Sequence, residues 1–215
     1  MTTSMNAQTG SMRSAAQLVD TELQPLEAEQ RYRVEAYRLI AALLRSPPEA
    51  RLLERISGLS QVDVPDELGL SMSMLGLAAR SSRVEAVEDE FHQLFIGLGR
   101  GELVPYASWY LTGFLMEKPL GELRRHLLSL GFERQHGIHE PEDHIAALCE
   151  VMSILIQDER PHAESADFFE AHLAPWSGRF FTDLGEAKAA VFYRTLGRFG
   201  AAFMELESRY FSMHV

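Results

Sequence analysis

Large apolar side chains recur at alternating steps of four and three residues through the last part of the chain. Because an α-helix turns by about 100° per residue, this spacing places them on one face, which has to be buried against other elements. The pattern does not fit a strand, in which side chains alternate between two faces. It predicts a long amphipathic helix with a stripe formed by Phe192, Leu196, Phe199, Phe203, Leu206 and Tyr210.

Helical spacing also recurs in earlier segments, each bounded by residues that start or stop helices. One segment covers 32–44 and ends at two prolines, another runs from Pro119 to a glycine, and a third begins at Pro141. Ser82 followed by Glu85 matches the capping-box pattern and predicts one more helix start. Alternating β-branched runs bounded by hairpin turns are missing from the sequence. The sequence therefore predicts an all-α fold.

The segment 131–141 interrupts the helical pattern. It contains two glycines and no periodic apolar face, so we interpret it as a hinge whose key residues are Gly131, Gly137 and Pro141. The start of the chain is rich in Ser, Thr, Gln and Ala, which is typical of a flexible tail. The predicted organisation is a tail at 1–26, an N-terminal helical subdomain at 27–130, the hinge at 131–141 and a C-terminal helical subdomain at 142–215.

Charge and cysteine content limit the classes of partner and compartment. The chain has 31 acidic and 20 basic residues and a formal net charge of −11, which repels nucleic acids and anionic membranes and favours cationic partners. Cys149 is the only cysteine, so an internal disulfide is excluded and a reducing compartment is favoured. Charges break the apolar runs, and the beginning of the sequence lacks the apolar core of a secretory signal. We expect a cytoplasmic protein without membrane insertion.

The stretch "HGIHEPEDH" gathers three histidines and three carboxylates, which raises the hypothesis of a metal site. A helical zinc-protease site needs two histidines four residues apart on one helical face. Here His139 and His144 are five residues apart and Pro141 separates them, so they do not share a face. A metal site in which a loop brings His136, His139 and His144 together remains an alternative. The corresponding function would be that of a helical metal-dependent enzyme. We predict neither a metal, nor a cofactor, nor catalytic residues.

The second half of this stretch has two other interpretations. If Pro141 opens a helix, Glu140, Glu142 and Asp143 lie at or near its first turn, where carboxylates stabilise free amide groups and the helix dipole. Alternatively, Asp143 and His144 form an exposed pair that receives an arginine or a peptide backbone group.

Upstream, "PYASWYLTG" places three amphipathic aromatics within five residues. Tyr106, Trp109 and Tyr110 suit either a core between the two halves or a groove that holds an apolar peptide.

The order of these motifs resembles the TorD/DmsD family of redox-enzyme maturation chaperones over about residues 30–210. The motifs are "EFHQLFIGLGRGELVPYASWYLTG", "EPEDHIAALCEVMSIL", "APWSGRFFTDL" and "AVFYRTLGRFGAAFM". Their most specific element is the family's Glu-Pro-x-Asp-His motif, followed by its Pro-Tyr-x-Ser-x-Tyr pattern. The matching positions are Glu140, Pro141, Asp143 and His144, and then Pro105, Tyr106, Ser108 and Tyr110.

The resemblance implies a TorD-like helical fold and a cytosolic chaperone that is not an enzyme. Such a chaperone binds the twin-arginine signal peptide and the apoprotein of a molybdoenzyme, an S- or N-oxide reductase or a formate dehydrogenase, until its cofactor is inserted. Family members also imply a monomer with a minor domain-swapped dimer. A generic helical adaptor is the remaining alternative. The implied signal-peptide-binding residues are Phe95, Tyr106, Ser108, Trp109, Tyr110, Glu140, Asp143 and His144.

Overall fold

The structure is a computed structural model that describes residues 27–61, 65–97, 101–133, 137 and 140–213. Within these ranges it contains α-helices and short helical turns but no strand, which confirms the predicted all-α fold. The predicted tail at 1–26 lies outside the described residues. The α-helices are α1 (Ala28–Arg45), α2 (Ala50–Ser57), α3 (Glu67–Ser81), α4 (Val84–Phe91), α5 (Ala107–Thr112), α6 (Lys118–Ser129), α7 (Ile145–Gln157), α8 (His162–His172), α9 (Ser177–Glu186) and α10 (Phe192–Met213).

The helices pack around one apolar core that draws on both sides of the predicted hinge. Helix α1 packs against α7, while α10 packs against α9 and α3. The division into two subdomains stays a prediction, but these contacts cross it. No helix in the described ranges is long and apolar enough to cross a membrane. The largest fully buried side chains include Trp176, Tyr37, Tyr193, Phe168, Phe169, Phe180 and Phe181.

A buried ion pair connects the first helix to the last. The Arg33 guanidinium donates to the Glu207 carboxylate through Nε at 2.6 Å and Nη2 at 2.8 Å, and the Tyr37 hydroxyl donates to the same carboxylate at 2.8 Å. Arg33 is 4% exposed and Glu207 is fully buried. Burial, together with the Glu207 carboxylate, raises the pKa of the Tyr37 hydroxyl. A buried charge is tolerated only when it is paired and hydrogen-bonded, so α1 and α10 depend on each other.

A second carboxylate fixes the beginning of α10. Glu90, which is nearly buried on α4, accepts hydrogen bonds from the backbone amides of Val191, Phe192 and Tyr193 at 2.7 to 3.0 Å. The first amides of a helix have no partner within the helix, so the side chain of another helix supplies one here.

Two glycines let α9 and α10 approach closely. A Cβ atom on Gly197 would lie 2.5 Å from the Gly185 amide nitrogen, and one on Gly200 would lie 2.2 Å from the Phe181 ring. Both contacts are too short for any larger side chain. The glycines therefore set the distance between these helices.

Two details of the predicted helices are wrong. Ser82 does not open α4, because it ends α3 in an extended conformation and α4 begins at Val84 without a side-chain cap. In α10, Leu206 is 38% exposed although the stripe placed it in the core. The buried face continues by steps of four through Glu207 and Phe211, because Arg33 gives the glutamate a partner.

We expect Arg33→Ala to lower the free energy of unfolding by about 3 to 5 kcal/mol, because it leaves the Glu207 charge buried without a partner. Replacing both groups, Arg33→Met with Glu207→Leu, should restore most of this loss. Urea unfolding followed by circular dichroism measures both effects.

The exposed pair of Arg209 and Glu205 serves as the control, since its side chains are 72% and 56% exposed. Arg209→Ala should cost less than about 0.5 kcal/mol. If Arg33→Ala lowers the free energy of unfolding by no more than Arg209→Ala does, the buried pair does not hold α1 to α10.

Candidate functional site

Two predicted motifs meet at one junction between the chain before α5 and the chain before α7. Tyr106 and His144 form an isolated antiparallel bridge, and their rings contact edge to face with centroids 5.0 Å apart. Backbone hydrogen bonds on both sides hold the two segments together. They run from Ala107 N to Asp143 O at 3.0 Å and from Ile145 N to Pro105 O at 2.9 Å.

The Asp143 side chain lies inside this junction. It is 1% exposed, and its Oδ2 accepts the backbone amide of Ser108 at 2.9 Å, which satisfies a free amide in the first turn of α5. Its other oxygen, Oδ1, and the buried Ser108 hydroxyl have no hydrogen-bond partner among the described residues. Asp143 therefore holds α5 in place through Oδ2, whereas Oδ1 accepts no hydrogen bond from the described residues.

His144 is the N-cap of α7. Its Nδ1 accepts the backbone amide of Ala146 at 3.1 Å, so this nitrogen carries no proton. Burial, and secondarily the positive charge of Arg45, lower the pKa of His144 to about 4. The imidazole is thus neutral at physiological pH and acts as a hydrogen-bond acceptor.

The prediction that Pro141 opens this helix is wrong. Residues 141–144 form a turn closed by the hydrogen bond from His144 N to Pro141 O at 3.2 Å, and helical backbone begins at Ile145. The reason is the histidine cap, because an N-cap residue adopts an extended backbone while its side chain satisfies an amide of the first turn.

The other carboxylates of the motif are also engaged. The Tyr106 hydroxyl donates to Glu140, and burial is the main cause that raises the pKa of that carboxyl. Glu142 accepts from Arg124 of α6 through Nε at 3.0 Å and Nη2 at 2.9 Å. The motif thus connects α5, α6 and α7.

The aromatic residues of the second motif point in different directions. Tyr110 packs against the Trp176 ring at 5.4 Å, and its hydroxyl donates to Asp183 at 2.9 Å. This is the core interpretation that the sequence left open. Trp109 is half-buried against the same core.

Phe95 lies elsewhere, in the π-helical turn His92–Ile96. Its ring contacts Phe91 at 5.0 Å and Tyr193 at 5.6 Å, close to the beginning of α10. The structure therefore brings Tyr106, Ser108, Glu140, Asp143 and His144 together, whereas Phe95 has a separate set of ring contacts.

An exposed apolar segment that sequence reasoning missed runs from the end of α5 into the residues that follow it. Four consecutive or nearly consecutive side chains are open to solvent: Leu111 (44%), Phe114 (68%), Leu115 (48%) and Met116 (72%). The signal was in the sequence, since the apolar run from Phe114 to Met116 lies between Gly113 and Lys118 without helical spacing.

The segment leads into a groove of about 600 Å³ between the start of α6 and Pro141. Both apolar and charged side chains line this groove, so it can accept both kinds of group. It is lined by Met116, Glu117, Lys118, Leu120, Gly121, Arg124 and Pro141.

The hinge and the histidine cluster are described only in part. Gly131 and Gly137 have positive φ angles of 80° and 88°, a conformation that favours glycine. His136 and His139 lie outside the described residues, so the loop metal site is not tested at these positions. Across the described ranges, no group of three or more His, Cys, Asp or Glu residues is arranged to hold a metal ion.

Comparison with known proteins adds an independent finding. A family model described as "Nitrate reductase delta subunit" matches residues 62–182, more than half of the chain. A protein named "Chaperone protein TorD" from Vibrio parahaemolyticus is 26% identical over 133 residues, which cover 56% of this chain and 62% of that protein. A protein of the same name from Aliivibrio fischeri is 26% identical over 208 residues, 86% of this chain and 97% of that one.

One solved structure supports the fold. A crystal structure from Archaeoglobus fulgidus, described as a candidate redox enzyme maturation protein, superposes with a TM-score of 0.53. It is 19% identical in sequence, and the superposition covers 86% of this chain and 96% of the other. At this identity the likeness concerns the fold alone.

We expect acid to destabilise the protein through His144. Its pKa is depressed on folding, from 6.5 to about 4, so the stabilisation is complete above pH 6.5 and is lost as the pH falls towards 4. Between pH 7 and 4.5 this histidine should lower the free energy of unfolding by about 2 kcal/mol. His144→Asn keeps an acceptor at the N-cap and should remove that part of the pH dependence.

Urea unfolding at both pH values gives the comparison, with His92→Asn at an exposed position as the control for the replacement of a histidine. An unchanged pH dependence in His144→Asn would mean that this imidazole is not the titrating group.

Proposed function

Because this chain belongs to the TorD/DmsD family of redox-enzyme maturation chaperones, we propose that it binds the twin-arginine signal peptide of a molybdenum-cofactor oxidoreductase. The client is of the S- or N-oxide reductase or formate dehydrogenase type. The chain holds the apoprotein in the cytoplasm until the cofactor is inserted and so prevents premature export. It acts as a chaperone and not as an enzyme, in agreement with the names of its relatives.

The observation that carries this proposal is the exposed apolar segment at 111–116 beside the groove. A signal peptide has an apolar stretch after its arginines, and an apolar peptide needs an exposed apolar surface to bind. Phe114 and Met116 are 68% and 72% exposed, although large apolar side chains usually lie in the core. Met116 also lines the groove that ends at Pro141.

Carboxylates beside this surface suit the two arginines of the peptide. Glu117 lines the groove, and Glu142 stands next to Pro141 with its carboxylate bound to the Arg124 guanidinium. A peptide arginine that reaches Oε2 of Glu142 has to compete with Arg124 for that oxygen. The net charge of −11 adds a long-range attraction for a cationic peptide.

The buried residues of the motif have an indirect role in this proposal. Asp143 fixes the start of α5 and His144 fixes the start of α7, so together they position the segments that lead to the groove between α6 and Pro141. We propose the same for Ser108 and Tyr110, which are buried, while Tyr106 and Glu140 lie nearer the surface. The contribution of Phe95 stays a prediction.

The apolar contact is tested with a twin-arginine signal peptide in isothermal titration calorimetry. We expect Phe114→Ser with Met116→Ser to weaken binding by at least about tenfold, since two exposed apolar side chains leave the interface. Leu70→Ser with Leu77→Ser, whose side chains are 62% and 53% exposed on α3, is the matched control and should bind as the wild type does. Equal affinities in both double variants would refute the groove assignment.

The competition at Glu142 gives a second test with opposite signs. Arg124→Gln should tighten binding of the peptide by about threefold or more, because it removes the guanidinium that competes for Glu142, whereas Glu142→Gln should weaken it. Arg160→Gln, which breaks the similar pair with Glu164 on α8, should leave the affinity unchanged. If both variants at this pair weaken binding, Arg124 itself contacts the peptide and the competition is wrong.

A further inference from the structure

A second surface of the molecule has the opposite charge from the rest of the chain. Helix α3 packs against α10, and Arg198 of α10 contacts Met74 of α3. Across residues 68–81 and 192–204 the sequence contains arginines but neither Asp nor Glu, in a chain with 31 acidic and 20 basic residues. The arginines of this surface are Arg80, Arg194 and Arg198.

An apolar stripe runs beside these cations along α3. Leu70 and Leu77 are 62% and 53% exposed, and Met74 lies between them at helical spacing. The Arg198 Nη1 atom lies 3.8 Å from the Met74 sulfur, so the guanidinium borders the stripe directly. Arg194 is one turn earlier on the same helix and is also exposed. We name these residues, with Arg80, the α3–α10 face.

The cations of the α3–α10 face are available for a partner. None of its three arginines forms an ion pair with a carboxylate in the described part of the chain, whereas Arg33, Arg45, Arg124 and Arg160 all do. Arginine binds carboxylates through two parallel hydrogen bonds, which makes it suited to protein interfaces.

We propose that the α3–α10 face binds an acidic amphipathic helix of a partner protein. From Leu70 to Leu77 the stripe spans two helical turns, about 10 Å, which matches the ridge that a second helix packs against. The partner contributes apolar residues at the same spacing and Asp or Glu beside them, which pair with Arg194 and Arg198. This goes beyond signal-peptide binding, because the ligand has the opposite charge.

Charge also argues against the other occupants. Twin arginines are repelled by the cations of this face, and the net charge of −11 keeps the whole molecule from an anionic bilayer. In a two-fold dimer through this face, each patch would meet its own copy, which brings arginines against arginines. An acidic amphipathic helix can cover the apolar stripe and also pair its carboxylates with the arginines beside the stripe.

The test uses a designed helical peptide with leucines at positions i, i+4 and i+7 flanked by glutamates, and a second peptide with lysines in place of the glutamates. Fluorescence anisotropy with the full chain should show the acidic peptide binding at least about tenfold more tightly than the basic one. Arg194→Glu with Arg198→Glu should reverse this preference, and Leu70→Ser with Leu77→Ser should weaken the acidic peptide by about tenfold.

Arg31→Glu, an exposed change on α1, is the control for charge reversal and should leave the preference unchanged. All variants should bind the twin-arginine peptide as the wild type does, so that failure here is separate from failure of the signal-peptide proposal. No preference for the acidic peptide, or no effect of the arginine reversal, overturns the proposal. So does arginine-dependent binding to phosphatidylglycerol vesicles, or a dimer that the variants dissociate.

Discussion

The backbone bridge between Tyr106 and His144 is the contact on which the candidate site depends. It fixes where α5 and α7 begin, and the Asp143 carboxylate inside it satisfies an amide of α5. The exposed segment 111–116 and the groove next to Pro141 follow directly from that placement. Asp143 and His144 of the Glu-Pro-x-Asp-His motif thus affect the surface indirectly. They position the helices that carry it through hydrogen bonds to the backbone and not through exposed charge.

Several carboxylates of this chain form hydrogen bonds or ion pairs that stabilise the fold, so they do not contribute to binding a partner. Glu90 caps α10, and Glu102 accepts the amides of Lys188 and Ala189 at 2.7 and 3.0 Å, which lowers the pKa of its carboxyl. The carboxylate of Glu207 forms the buried ion pair with Arg33. The net charge of −11 therefore gives the sign of the long-range field but not the place where a cationic ligand binds.

Periodicity in the sequence predicted the fold class and the approximate extent of most helices, because an amphipathic helix writes its buried face into local spacing. It failed at Leu206, since no local pattern indicates that Glu207 has a partner 174 residues away. It also failed at the start of α7, where a histidine takes the cap position that Asp or Ser usually occupies. The family motifs indicated two segments that meet in the structure, but only the structure shows that Asp143 and Ser108 are buried.

The pairing of Arg33 with Glu207 has a consequence for the biosynthesis of the protein. Helix α1 leaves the ribosome well before the carboxylate that neutralises its arginine, which lies 174 residues later in the chain, so this part of the core cannot close until that residue has been made. Closing so long a loop is slow, and the uncovered apolar faces of α1 and α7 are exposed to aggregation in the meantime. A chaperone built in this way has itself to survive a period as an incompletely folded chain.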